Sequence, residues 1–121
     1  MKHSALAAVV IAAAVVAVDG DTVDVDGKRW RLQGFDTPET FYAQCTSERL
    51  LGQKAKQRLQ QLIDTAHEVE TMTDGKRERW KRILGRLFVD GRDVGEVLIS
   101  EGLAVRYNGK GRRRDWCQFS S

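Results

Sequence analysis

The stretch TVDVDGKRWRL, residues 22–32, decides the architecture. Val23 and Val25 alternate with polar residues ahead of Asp26-Gly27, and Trp30 and Leu32 alternate with basic ones behind it. Two such runs about Asp-Gly predict a β-hairpin, because both central positions of a tight two-residue turn need positive φ. The chain therefore contains an antiparallel sheet with one apolar face.

Downstream, after GFDTPET, the segment SERLLGQKAKQRLQQLID places Leu51, Ala55, Leu59, Leu62 and Ile63 at helical spacing, with Lys, Arg and Gln between them. This predicts an amphipathic helix over 47–64, with Ser47 as its cap. Glu68 to Met72 alternate weakly as a strand, and ILGRLFV (83–89) reads as another, closed by Asp90-Gly91. DVGEVLISEGL sets Val94, Val97, Leu98 and Leu103 on one face of a short helix that stops near Gly102. The tail GKGRRRDWCQFSS is rich in glycine and arginine and reads as irregular. Strands that turn this often around one long helix predict a closed or nearly closed barrel in an α+β domain.

A chain of 121 residues, 41% hydrophobic and 31% charged, is one globular domain rather than two or a disordered tail. Its net charge of +3 suits a polyanionic partner, nucleic acid first, although most surface charge only solvates.

Upstream of the hairpin, one lysine precedes an unbroken apolar run from Ala5 to Val18. That run falls short of the ~20 residues of a membrane span and matches the ~7–15 of a signal-peptide core. Residues 1–14 are thus expected to be a signal peptide or N-terminal anchor, with a small-residue cleavage pattern at Ala12-Ala13-Ala14, and 15–121 a single domain. Val15 to Val18 also reads as a buried first strand. Export, to a periplasm or the medium, follows. Cys45 and Cys117 fit that compartment as one disulfide closing a loop of about 70 residues, while in a cytosolic chain they would be free and buried. Two lone thiols without neighbouring ligands make a poor zinc site.

Elimination narrows the chemistry. The only histidines are His3, inside the expected signal segment, and His67, so histidine-based nucleophilic schemes lack candidates. There is no Walker loop, CxxC or HExxH. Carboxylates and arginines remain. Asp21 in DGDT and Asp36 in FDTPET both sit where a strand gives way to a turn, and paired carboxylates with nearby carbonyls suit a hard cation such as calcium. Glu39 follows Asp36 across the stiff Pro38, apart from the ligands, where it can orient or deprotonate a water. Arg31 and Arg82 are matching cations for a phosphate, because a planar guanidinium binds phosphate oxygens bidentately. Taken singly, each motif also fits plain turn chemistry or surface charge.

Together they do more. VDGDTVDV, RLQGFDTPET, GQKAKQRL and RWKRILGRLFVDGRDVGEVLISEGLA occur in an order and spacing that resemble the thermonuclease family typified by staphylococcal nuclease, from Val16 to Tyr107. The ending GRRRDWC resembles an exported bacterial branch with a cysteine after the DTPE segment, which favours a Cys45–Cys117 bridge. The resemblance implies a five-stranded OB-type β-barrel with packed helices and calcium-dependent endonucleolytic cleavage of DNA and RNA. It also implies site roles. Asp21 and Asp36 match the calcium carboxylates and Thr37 the residue giving its main-chain carbonyl. Arg31 matches the arginine on the scissile phosphate, Glu39 the general base, and Arg82 the arginine that stabilises the transition state.

The chain departs from that pattern at Trp80-Lys81, where the family has tyrosine-glycine. Trp80 keeps a ring for a base or sugar but loses the hydroxyl. Lys81 stands where glycine permits conformations a lysine resists, and Arg86 is a rival for the role of Arg82. A second reading follows from these departures: an OB-type module that holds single strands on Trp80, Tyr107 and Arg112–Arg114 without cutting them. Such a module needs none of Asp21, Arg31, Asp36 and Glu39. On either reading the partner is nucleic acid, no protein partner is required, and the chain is expected to be a monomer.

Overall fold

The computed structural model describes residues 7–10 and 14–117. In chain order the elements are β1 (Ala7–Val10), β2 (Val15–Asp19), β3 (Thr22–Val25), β4 (Lys28–Leu32), β5 (Gly34–Asp36), α1 (Thr46–Thr65), β6 (Val69–Thr73), β7 (Ile83–Val89), β8 (Arg92–Asp93), α2 (Val94–Ser100) and β9 (Val105–Tyr107). The alanine pattern read as a cleavage site falls on residues 12–14, of which 12 and 13 lie outside the described set.

The decisive hairpin forms as its sequence predicts. Val25 pairs with Lys28 across Asp26 and Gly27, whose φ values of 52° and 79° are the two positive angles that the turn demands. Asp90 and Gly91 repeat the device between β7 and β8. Val23, Val25, Trp30 and Leu32 all point into the core.

The helix also follows its pattern. Ala55, Leu59, Leu62 and Ile63 are buried against β2 and α2, and Gln60 reaches the edge of β2, where its side chain accepts from Ala17 N–H at 2.7 Å and donates to Val15 carbonyl at 3.2 Å. The cap differs from expectation. Cys45, not Ser47, takes the extended cap conformation and its sulfur accepts the Glu48 N–H at 3.4 Å. The disulfide explains this, because its partner Cys117 fixes the Cys45 backbone just ahead of the first turn, with the Cα atoms 6.1 Å apart.

The main sheet runs β1-β6-β7-β4-β3-β2, with β8 beside β7, while β5 and β9 form a separate pair. β4 and β7 are parallel, since the crossover through α1 and β6 returns the chain in the same direction. The fold is thus mixed α+β with two helices, as expected. The five-stranded OB-type ring is not closed by hydrogen bonds among the described residues: β1 and β2 stand at opposite ends of the path, and no pairing joins them. Neither β5 nor β9 was anticipated, nor was strand pairing at Ala7–Val10, which lies inside the stretch read as a signal or anchor.

Candidate active site

Three elements bring the acidic residues together. Asp21 sits in the turn between β2 and β3, Asp36 ends β5, and Glu39 lies beyond Pro38 on the way to α1. Gly52 of α1 makes the approach possible. A Cβ there would strike the carbonyl oxygen of Glu39 and stand 2.8 Å from that of Pro38, so the helix accepts the loop only because this position is bare.

The two aspartates are buried, Asp36 to 1% and Asp21 to 6%, and Asp21 Oδ2 accepts the Thr37 N–H at 3.2 Å. Arg31 lies over both. Its Nη2 is 3.4 Å from Asp36 and 3.5 Å from Asp21, while its Nη1 donates to the carbonyls of Leu32 and Phe35. This strap holds β5 against β4 and leaves the guanidinium facing the carboxylate pair. Burial, only partly countered by the Arg113 and Arg31 cations and reinforced by the charge of Asp21, pushes the Asp36 carboxyl up to about 6.

The Asp36 Oδ2 atom is buried without a hydrogen-bond partner, as is the Thr37 hydroxyl. An orphaned anionic oxygen at such depth is costly unless something positive joins it. Two carboxylates with an oxygen-rich turn between them are the donor set of a hard cation. The residues present therefore fit calcium. Among the described residues, the group of three acidic and sulfur side chains close enough together to share an ion is Cys45, Glu48 and Cys117, whose sulfurs are spent in the disulfide.

Glu39 is held at one remove. Its N–H donates to Glu48 Oε2 at 3.1 Å, and the other oxygen of Glu48 accepts the Gln44 N–H at 2.8 Å. The buried Glu48 thereby ties both feet of the 39–44 loop, and the Thr40 hydroxyl adds a bond of 2.6 Å to Asp19. Phe41 and Tyr42 project from this anchored loop, 95% and 83% exposed.

One residue that the sequence analysis placed only in the strand-binding run Arg112–Arg114 enters the carboxylate cluster itself. Arg113 Nη2 lies 2.7 Å from Asp36 Oδ1 and 2.6 Å from Glu39 Oε2. The signal that locates it is the cysteine four residues later, since a bridge from Cys117 to Cys45 must carry the arginine run to the acidic loop. Glu48 carries no expectation from the sequence, although it is buried at the head of α1.

The contacts seen for the remaining expected site residues are with groups other than these carboxylates. Arg82 pairs with Glu78 at 3.0 Å, and its Nε is buried without a partner. Glu78 also accepts the N–H groups of Trp80 and Arg82, so one carboxylate shapes the whole turn. Trp80 is 68% exposed with the Arg79 guanidinium 4.7 Å above its ring. Tyr107 pairs opposite Gly34 and lines a cleft of about 570 Å³ with Arg86, Arg106 and Asn108. Arg86 is bound to Asp93 at 3.0 Å, so the rival to Arg82 is engaged as well.

Lys81 resolves the departure at Trp80-Lys81. Its φ is +69°, so the backbone keeps the glycine-like conformation and the lysine bears the strain. Lys81→Gly is expected to raise the unfolding free energy by about 0.5–1 kcal/mol, the relief of the left-handed cost less the entropy that glycine adds to the unfolded chain. Urea denaturation measures it, and an unchanged midpoint would show that the lysine sits there without strain.

The chain is similar in sequence to known proteins. A family model described as staphylococcal nuclease homologue matches residues 29–118. Similar proteins include the succinoglycan biosynthesis protein ExoI of Rhizobium meliloti, 33% identical over 110 residues, covering 87% of this chain and 56% of that protein. The SPbeta prophage-derived endonuclease YokF of Bacillus subtilis is 35% identical over 95 residues, 73% of this chain and 31% of its own. Endonuclease YncB of the same organism is 33% identical over 93 residues, 73% of this chain and 44% of its own. The chain thus spans only part of the length of each of these relatives.

Proposed function

The chain belongs to the staphylococcal nuclease homologue family, and from that premise we propose that it is a calcium-dependent endonuclease hydrolysing phosphodiester bonds of DNA, RNA or both with low sequence specificity. The observation that carries this reading is the meeting of buried Asp21 and Asp36 with Arg31, and with Glu39 placed just outside them. The endonuclease names of two relatives support it.

Asp21, Asp36 and the Thr37 carbonyl would hold the calcium ion. When bound, calcium supplies positive charge to a phosphoryl oxygen and lowers the cost of the developing negative charge. Glu39 takes the proton from the attacking water at its carboxylate, which stays separate from the ligand pair because Pro38 intervenes. Arg31 faces the phosphate oxygens from the β4 side. Arg82 contributes a second guanidinium on leaving Glu78, in a transition state where charge spreads over the phosphoryl oxygens. Trp80 and Tyr107 bind the substrate, and Phe41 and Tyr42, next to Glu39, offer further rings for unstacked bases.

A gel assay on single-stranded DNA, duplex DNA and RNA, run with calcium and then with chelator, tests the reading. Calcium-dependent cleavage is expected. Retarded but uncut strands in both conditions would overturn it in favour of the binding module, for which the exposed Trp80 and the arginine tail are the supporting features.

Two finer readings concern the N-terminus. β1 and β2 stand at the two ends of the sheet path, and a five-stranded OB-type barrel remains our reading of this sheet. Export is supported by the apolar run of Ala5 to Val18 and by the disulfide. Cleavage before Val15 would remove β1 and leave β6 as an edge, whereas a chain that keeps residues 1–14 out of a membrane retains the β1–β6 pairing. N-terminal sequencing of the cell-derived protein separates these cases, and a full-length cytosolic chain with reduced cysteines would sink the export reading.

A further inference from the structure

Arg113 is out of place for a residue of an irregular, solvent-facing tail. Its Nη2 atom makes contacts of 2.7 Å to Asp36, 2.6 Å to Glu39 and 3.4 Å to the Thr37 carbonyl. Two of these groups are among the oxygens assigned above to the calcium ion, and the third is the base. A guanidinium nitrogen thus stands against the oxygens that a metal would take. It is also kept there, although no helix or strand carries it. Trp116, three residues on, is buried, and Cys117 is joined to Cys45 at the head of α1. The tether is short, so the guanidinium remains at high effective concentration beside the carboxylates.

We propose that Arg113 and the divalent ion are alternative occupants of the Asp36–Thr37 oxygens, so that this disulfide-tethered guanidinium acts as the site's internal counter-cation and sets its affinity for metal. The proposal rests on the nuclease reading for the identity of the ion. The buried aspartates explain why such a group is useful. With Arg31 alone, Asp21, Asp36 and Glu39 would present three carboxylates to one cation, and a second positive group balances them until the ion arrives. The same balance opposes the ion, because an ion that reaches both Asp36 and the Thr37 carbonyl must approach the nitrogen lying between them. Asp36 Oδ2, which has no partner, is the oxygen from which exchange can start.

The test is calorimetric titration of calcium into the oxidised full chain without nucleic acid, comparing the parent with Arg113→Gln, Arg113→Ala and Arg113→Lys. Removing the charge is expected to tighten calcium binding about tenfold, within the usual range of coupling between linked sites. Arg113→Lys, which keeps the charge, is expected to stay near the parent. A structural role would instead weaken binding in the neutral variants, and that result, or unchanged affinity, overturns the proposal. If no variant, parent included, binds calcium, manganese or magnesium, the metal reading of the site fails first and takes this inference with it. Equal binding in all variants removes the inference alone. The side chain is 43% exposed, and the thermal midpoint of each variant confirms that the titrated protein is folded.

Discussion

Glu39→Gln is expected to cut the rate of phosphodiester cleavage by about 10²–10⁴-fold, the usual yield of a positioned general base. The substitution is close to isosteric, so little else should move. The backbone N–H of residue 39 still donates to Glu48, and an amide oxygen still accepts from Arg113. What disappears is the ability to take a proton from water. Calcium affinity should remain within a few-fold of the parent, since Glu39 lies outside the pair of buried aspartates. The melting temperature should hardly change, because the side chain is a quarter exposed and its partner Arg113 keeps contact with Asp36. Single-turnover cleavage at saturating calcium measures the effect. Full activity in Glu39→Gln would remove Glu39 from the proton transfer and leave water activation without a candidate, as His67 is the only described histidine.

The expected loss depends on how firmly the loop holds Glu39. Buried Glu48 ties residues 39 and 44 at once, and Gly52 lets the loop lie directly on α1. A base that must meet a water and a phosphorus in line needs such restraint, because small displacements cost catalysis steeply. Pro38 removes one backbone freedom at the same place.

The features legible in the sequence were those written in local chemistry. The Asp-Gly turns, the alternation around them and the spacing of Ala55, Leu59, Leu62 and Ile63 are short-range signals, and the structure keeps all of them. Asp21 and Asp36 were also readable as a pair, because each sits at a strand end beside a turn residue. The features that were missed depend on distant partners. β5 and β9 are three residues each and become strands only by pairing with one another across the fold. Ala7–Val10 belongs to an apolar run whose sequence says equally well membrane segment or strand, and pairing with β6 is what the structure adds. Glu48 occupies a helix position whose neighbours are polar, and nothing local says that it is buried beneath a loop. Arg82 matches its motif, and its ion pair with Glu78 four residues earlier is a contact that a motif does not encode.

Replacing both cysteines by serine is expected to give the largest loss of stability. The bridge spans 72 positions, and chain entropy assigns a cross-link closing a loop of this length about 4 kcal/mol. For a domain of about a hundred residues that corresponds to a fall in melting temperature on the order of 15 °C. Serine is the informative choice because it retains the other duty of Cys45. Its hydroxyl is a favoured cap and can accept the Glu48 N–H now bonded to sulfur, so the loss reports the cross-link and not the helix end. A melting temperature within a few degrees of the parent would mean that buried Trp116 anchors the tail by itself. The same variant connects stability to the site. Untying Cys117 lowers the effective concentration of Arg113 at Asp36 and Glu39, so calcium should bind more tightly to a protein that is less stable without it. Calcium should therefore restore more of the melting temperature in the double serine variant than in the parent, because ligand stabilisation grows with affinity at fixed concentration. A bridge that served only to staple the chain would leave the two calcium increments equal.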